Sequence, residues 1–215
     1  MVMSQDFFDT AHEGKEVELE DNRVGVGDDI NLSEKDPSLR NVMIGAGWDL
    51  NAFNADALDL DLSLFLLDRN NMTRMDADFI FYNQKDALEG AIKHHGDSRT
   101  GAGDGDDEQI SVDLQAVPFD ILRVLITVTI YKGYEKEQNL DMVRNAYVRI
   151  VNDDSKTELC RYELDDILDG KNETGIVVGA LNREGPKWHF KPEAEFIPGG
   201  LGELARRYGM IINQE

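Results

Sequence analysis

The chain has little cysteine, few basic residues and no long apolar run, and each shortage closes off a class of function. Cys160 is the single cysteine among 215 residues, so no internal disulfide can form, and a reducing compartment suits the chain. Lysine and arginine total 22 against 43 aspartates and glutamates, a net charge of −21. Such a field repels phosphate backbones and anionic lipid surfaces, which argues against nucleic-acid and membrane-surface partners. The longest apolar stretch runs from Leu122 to Tyr131 and is broken by Arg123, Thr127 and Thr129; crossing a bilayer takes about 20 residues, so no transmembrane segment is expected. The first residues, Met1 to Asp6, show neither a basic start nor an apolar run, so no signal peptide is readable and the expected location is cytoplasmic.

Catalytic signatures are scarce too. There is no Gly-x-Ser-x-Gly elbow, no phosphate-binding glycine loop followed by lysine and no dinucleotide fingerprint. His94 and His95 are adjacent, and neighbours on a strand point to opposite faces, so the two rarely share one ion. His12 and His189 have no evident partner, and Cys160 alternates within a strand as a core thiol would. The expectation is a protein that is not an enzyme. A metal-assisted hydrolase is the alternative, since acids can hold a metal that activates water; a ligand-free acidic scaffold is a third class.

What is present is strand pattern and a concentrated acid surplus. Asp59 to Leu67 alternates strictly, with Leu60, Leu62, Leu64 and Leu66 on one face and Asp59 and Asp61 on the other. Val42–Trp48, Phe79–Asn83, Gln109–Leu114, Ala146–Val151, Thr157–Leu164, Gly175–Asn182 and Lys187–Phe196 read as further strands. Leu122–Tyr131 is apolar on both faces, as the middle strand of a sheet should be. Residues 135–144 suggest one or two helical turns, and Leu201–Tyr208 a closing helix. The pattern predicts a mainly β fold, an antiparallel β-sandwich of about eight to ten strands with one or two short helices. Residues 1–40 read as an acidic arm or edge strand, and residues 41–215 as the sandwich domain. Trp48, Phe65, Phe79, Phe81 and Tyr131 read as core.

Residues 41–120 carry 16 acids against 5 bases, whereas residues 170–215 are balanced at six of each. The surplus peaks between Asp97 and Glu108, where Asp97, Asp104, Asp106, Asp107 and Glu108 alternate with Gly101, Gly103 and Gly105. A hard cation such as Ca²⁺ takes six to eight oxygens, and a short segment can supply several of them only by turning sharply, which glycine permits. The loop does not fit the EF-hand pattern. Asp-Gly clusters also form ordinary solvated turns, so composition leaves both readings open. Asp59 and Asp61, projecting together from one strand face, add a second acidic element, and Asp49 and Asn83 are further oxygen donors.

Gly47-Trp48-Asp49, Asp59-Leu60-Asp61, Asp78-Phe79-Ile80-Phe81-Tyr82-Asn83, the run from Gly96 to Glu108, Val128-Thr129-Ile130-Tyr131 and Asn145-Ala146-Tyr147-Val148-Arg149 together resemble the TerD family of bacterial tellurium-resistance and general-stress proteins. The resemblance spans about residues 42–212, while residues 1–40 depart from the basic, strand-forming start usual there. It implies a β-sandwich with a Ca²⁺ site on the glycine-acid loop and the preceding acidic strand, acting through other stress or tellurium-resistance proteins. The ligands it implies are Asp61, Asp97, Asp104, Asp106, Asp107 and Glu108, with Asp59 next.

Overall fold

The leucine alternation of residues 60–67 sets the architecture. In the computed structural model, which describes residues 22–49, 58–97 and 105–210, these leucines pack between two antiparallel sheets. Strands β1 (Ile30–Asn31), β3 (Leu60–Leu67), β4 (Phe79–Ile80), β8 (Arg123–Ile130), β11 (Gly175–Glu184) and β12 (Lys187–Ile197) form one sheet in the order β1-β12-β11-β8-β3-β4. Strands β2 (Asn41–Asp49), β5 (Asp86–Ala87), β6 (Ile92–Asp97), β7 (Glu108–Asp113), β9 (Arg144–Asn152) and β10 (Thr157–Glu163) form the other, ordered β10-β9-β2-β7-β6-β5. Twelve strands among the described residues, three of them (β1, β4 and β5) only two residues long, match the mainly β sandwich that the alternation predicts.

The core lies where the two periodicities meet. Leu60, Leu62, Leu64 and Leu66 from β3 and Val124, Ile126 and Val128 from β8 face Val42, Ile44, Ile110, Val112, Val148 and Ile150 of the opposite sheet, all buried. Strand β8 does lie inside its sheet, between β3 and β11. The far face of β3 is covered as well. Phe65 and Leu67 pack with Leu125, Val177, Leu204 and Tyr208 beneath α3 (Gly200–Arg207), forming a second, smaller core. This covering is why Asp61 and Ser63, on the same face, are buried rather than solvated.

Two elements differ from the sequence pattern. Phe79–Asn83 contributes only two strand residues. Phe81 and Gln84 then close a turn on each other, and the aromatic run stacks outward, with Phe65–Phe79 and Phe79–Phe81 ring centroids both 4.4 Å apart. Ring stacking here takes the place of further ladder bonds. Residues 135–144 hold a single 3₁₀ turn at Leu140–Met142, because Lys132 and Glu137 adopt positive φ and break any helical run. At the N-terminal side, residues 1–21 lie outside the described residues. Asn22 and Val24 bond the backbone of Arg161 at the edge of one sheet, and Ile30–Asn31 then pairs with β12 at the edge of the other. Leu32, which starts the one-turn helix α1 (Leu32–Lys35), is fully buried, and another one-turn helix, α2 (Asp165–Leu168), follows β10. Residues 22–32 therefore strap one open side of the sandwich.

Candidate functional site

Antiparallel pairing brings the acidic segments to one end of the sandwich. Strand β2 ends at Asp49, β6 ends at Asp97 opposite Glu108, where β7 begins, and β3 begins just after Asp59. The two sheets touch there through a side chain: Glu108 Oε2 accepts the Leu62 amide at the edge of β3, beyond the reach of the short β4. Glu108 is also inward-facing, 1% exposed, with Oε1 3.8 Å from Nε2 of His94. His94 Nδ1 accepts the Gly96 amide at 3.1 Å. His94 is buried and His95 exposed, in line with the opposite faces expected of neighbours on a strand.

Asp59 and Asp61 line a cavity of about 650 Å³ with Tyr82, Asn83, Gly96 and Tyr131. Gly96 immediately precedes the last residue of β6, so the acidic strand and the start of the acidic loop meet in this cavity. Among the described residues, Lys85 is the one cation in its lining. Burial, then the Asp61 charge, then Tyr131 and Asp59 push the Tyr82 hydroxyl above its ordinary range. Among the described lining residues the donors are carboxylate, amide and phenol oxygens, with no thiol or imidazole, a set that fits a hard cation and not a soft one.

The remaining acids of the loop have separate environments. Asp107 is 6% exposed; its Oδ2 accepts the Trp48 amide at 2.9 Å. Burial raises its carboxyl pKa, the Trp48 bond opposes that, and the charges of Asp106 and Asp49 add to it. Asp106 points the other way, to the outer face of the second sheet. Arg149 grips it through Nε to Oδ1 at 2.7 Å and Nη2 to Oδ2 at 3.0 Å. Tyr147 Oη donates to Oδ1 and Gln109 Nε2 to Oδ2, each at 3.0 Å. The structure thus gathers Asp59, Asp61, Asp107 and Glu108 at one end and commits Asp106 to a cation of the chain itself. Asp97 is placed by its backbone, as the partner of Glu108. Asp104 lies outside the described residues.

Sequence reasoning passes over the Asp106 clamp. Gly45 and Gly47 on β2 stand opposite Arg149 and Tyr147 on β9. A Cβ at Gly45 would sit 2.1 Å from Asp106 Oδ2, and one at Gly47 2.5 Å from the Tyr147 ring. The Gly-x-Gly and Tyr-x-Arg spacings carry the signal, yet only the pairing of strands a hundred residues apart makes it readable. His189 is a second omission. Its Nδ1 lies 2.7 Å from Asp29 Oδ1 and its Nε2 3.8 Å from Glu184 Oε2, so it does have partners, brought from β11 and from the residue before β1.

Fold and site together define a two-sheet β-sandwich with an acidic, oxygen-lined end. The TerD domain family matches residues 23–208. The chain is 41% identical over 184 residues to the tellurium resistance protein TerD of an Alcaligenes species, covering 86% of this chain and 95% of that one. It is 40% identical over 187 residues to general stress protein 16U of Bacillus subtilis, covering 86% and 96%. The chain belongs to the TerD family. A Streptomyces coelicolor homologue of a telluride resistance protein shares the fold, with a TM-score of 0.61 and 20% identity over 76% of this chain and 93% of that one.

Proposed function

We propose that this chain is a calcium-binding stress-response protein of the tellurium-resistance type, a cytoplasmic interaction module and not a catalyst. The observation that carries the reading is the convergence of Asp59, Asp61, Asp107 and Glu108, from two chain segments far apart in sequence, at one end of the sandwich. Gathering carboxylates where burial and mutual repulsion disfavour their charge is costly unless a cation offsets it. Asp59 and Asp61 would hold the ion from the β3 side, with the Asn83 amide oxygen and the loop acids completing an oxygen shell. Bound calcium would supply the positive charge that removes local repulsion. The rim formed by the ends of β2, β6 and β7 would then present one fixed surface to a protein partner. Among the described residues, no helix is long and apolar enough to cross a membrane.

Thermal melting tests the reading. A ligand bound only by the folded chain stabilises it by about 4 kcal/mol at roughly 1,000 times its dissociation constant. Each kcal/mol shifts the midpoint of a domain this size by about 2–4 °C. Millimolar Ca²⁺ should therefore raise the midpoint by several degrees over EDTA. Asp59→Asn with Asp61→Asn should abolish most of that rise, and Mg²⁺ should compete poorly because it keeps its waters. Identical curves in calcium and chelator would leave the acidic end as a ligand-free scaffold. Hydrolytic turnover that depends on a bound metal would favour the hydrolase class instead.

A further inference from the structure

Asp107 and Glu108 can serve a cation only if residues 105–108 keep one conformation, and the neighbouring Asp106 shows what holds it. A carboxylate offers about four lone-pair positions. On Asp106 four donors occupy them: Arg149 Nε and Tyr147 Oη on Oδ1, Arg149 Nη2 and Gln109 Nε2 on Oδ2. None remains for a metal. Asp106 is also buried to 1% side-chain exposure, over two glycines that leave room for it and for the Tyr147 ring. The Arg149 fork is tied down in turn, with Nη1 on Glu158 at 3.2 Å. Burial lowers the basicity of Arg149, and the bonds and charge of Asp106, then Glu158, outweigh that and hold it above its ordinary range.

We propose that Arg149 is a positioning residue for the cation site, and that Asp106 is its anchor on the acidic segment and not a ligand. By fixing Asp106 on the outer face of the second sheet, the fork sets the register in which Asp107 reaches the Trp48 amide and Glu108 turns inward to Leu62. The inference rests on the calcium reading above. It separates two roles within consecutive acids: Asp106 is spent on a side-chain cation of the chain itself, and Asp107 and Glu108, each held by a backbone amide, serve the ion.

Calcium titration by calorimetry, on the full chain, compares the native protein with Arg149→Gln, Arg149→Lys, Gly45→Ala and Tyr147→Phe. Removing a group that orients metal ligands costs roughly 10–100-fold in affinity, and that loss is expected for Arg149→Gln and Gly45→Ala. Lysine keeps the charge without the fork and should recover only part of it. Tyr147→Phe removes one hydroxyl bond and should cost about three- to tenfold, in a variant expected to fold even if the others do not. Leu64→Ala, a core truncation remote from the clamp, should leave affinity unchanged and so gauges the effect of lost stability alone. A second readout needs no calcium. In EDTA, amide exchange at Trp48 and Leu62 should quicken relative to Val128 in the clamp variants but not in Leu64→Ala. Native affinity and native exchange in Tyr147→Phe, together with native affinity in any folded Arg149 variant, would overturn the proposal. A native chain that takes up no calcium overturns the calcium reading instead, and the exchange rates at Trp48 and Leu62 then decide whether Arg149 orders the turn.

Discussion

The acidic end and the β11–β12 margin use the same residue types to opposite effect. At the acidic end Asp61, Asp107 and Glu108 are buried, and the bonds that hold Asp107 and Glu108 come from backbone amides. Burial and neighbouring acids push the Asp107 carboxyl up. At the margin Asp29 and Glu184 are half exposed and share Lys191, whose Nζ lies 3.0 and 2.9 Å from them, with His189 between. Hydrogen bonds from Lys191 come first in holding both carboxyls below the usual range. The margin answers its charge with a lysine of its own, whereas at the acidic end Asp107 and Glu108 bond the amides of Trp48 and Leu62. Asp106 belongs with the margin in this respect despite its place in the acidic run, because Arg149 already neutralises it.

The largest test of that contrast is the clamp. Arg149→Ala leaves the buried Asp106 carboxylate without its fork, and breaking a largely buried pair costs about 3 kcal/mol or more. The melting midpoint should fall by roughly 6 °C or more. Truncating exposed Asp29 to alanine should cost within about 1 kcal/mol, as surface pairs do. Equal losses at the two places would erase the distinction.

Gly47→Ala comes next. Its added Cβ would meet the Tyr147 ring at 2.5 Å, and overpacking of this kind costs about 1–3 kcal/mol. Chemical denaturation should show that loss. Gly25→Ala, with open space around it, should show almost none.

The smallest effect is the margin's pH dependence. Carboxyls whose folded pKa lies below the unfolded value, about 4, contribute stability that is present above that value and is lost as pH falls through the folded one. Lys191→Met should therefore lower the midpoint by about 1–3 °C at pH 7. The difference should shrink as pH drops below about 4, and should shrink in high salt at any pH. A gap that grows on acidification would mean that Lys191 stabilises by packing rather than by charge.

Much of this was legible in the sequence, for identifiable reasons. Strands β3 and β8 announce themselves because alternation and β-branched content are local properties, and the glycine-acid run at 97–108 stands out against the rest of the chain. The division of labour within that run was not legible. The amide of Asp107 bonds the carbonyl of Ala46, whose ladder partner is Glu108, so two residues of the incoming chain share one position on β2. Alternation fails there, as it does at a bulge, and Asp106 goes outward while Glu108 goes inward. Likewise β3 reads as half-buried, and only α3, some 140 residues later, makes its acidic face a covered one. Long-range pairing decides both, and no window of sequence contains it.

The central claim is that the acidic end, and not acidity in general, receives a cation. Calorimetric titration of Ca²⁺ into the native chain, into Asp59→Asn with Asp61→Asn, and into Asp29→Asn with Glu184→Gln tests it most directly. Saturable binding in the native and margin variants, with loss in the Asp59/Asp61 variant, is the predicted result. Binding that survives in the Asp59/Asp61 variant, or its absence from the native chain, would contradict the account.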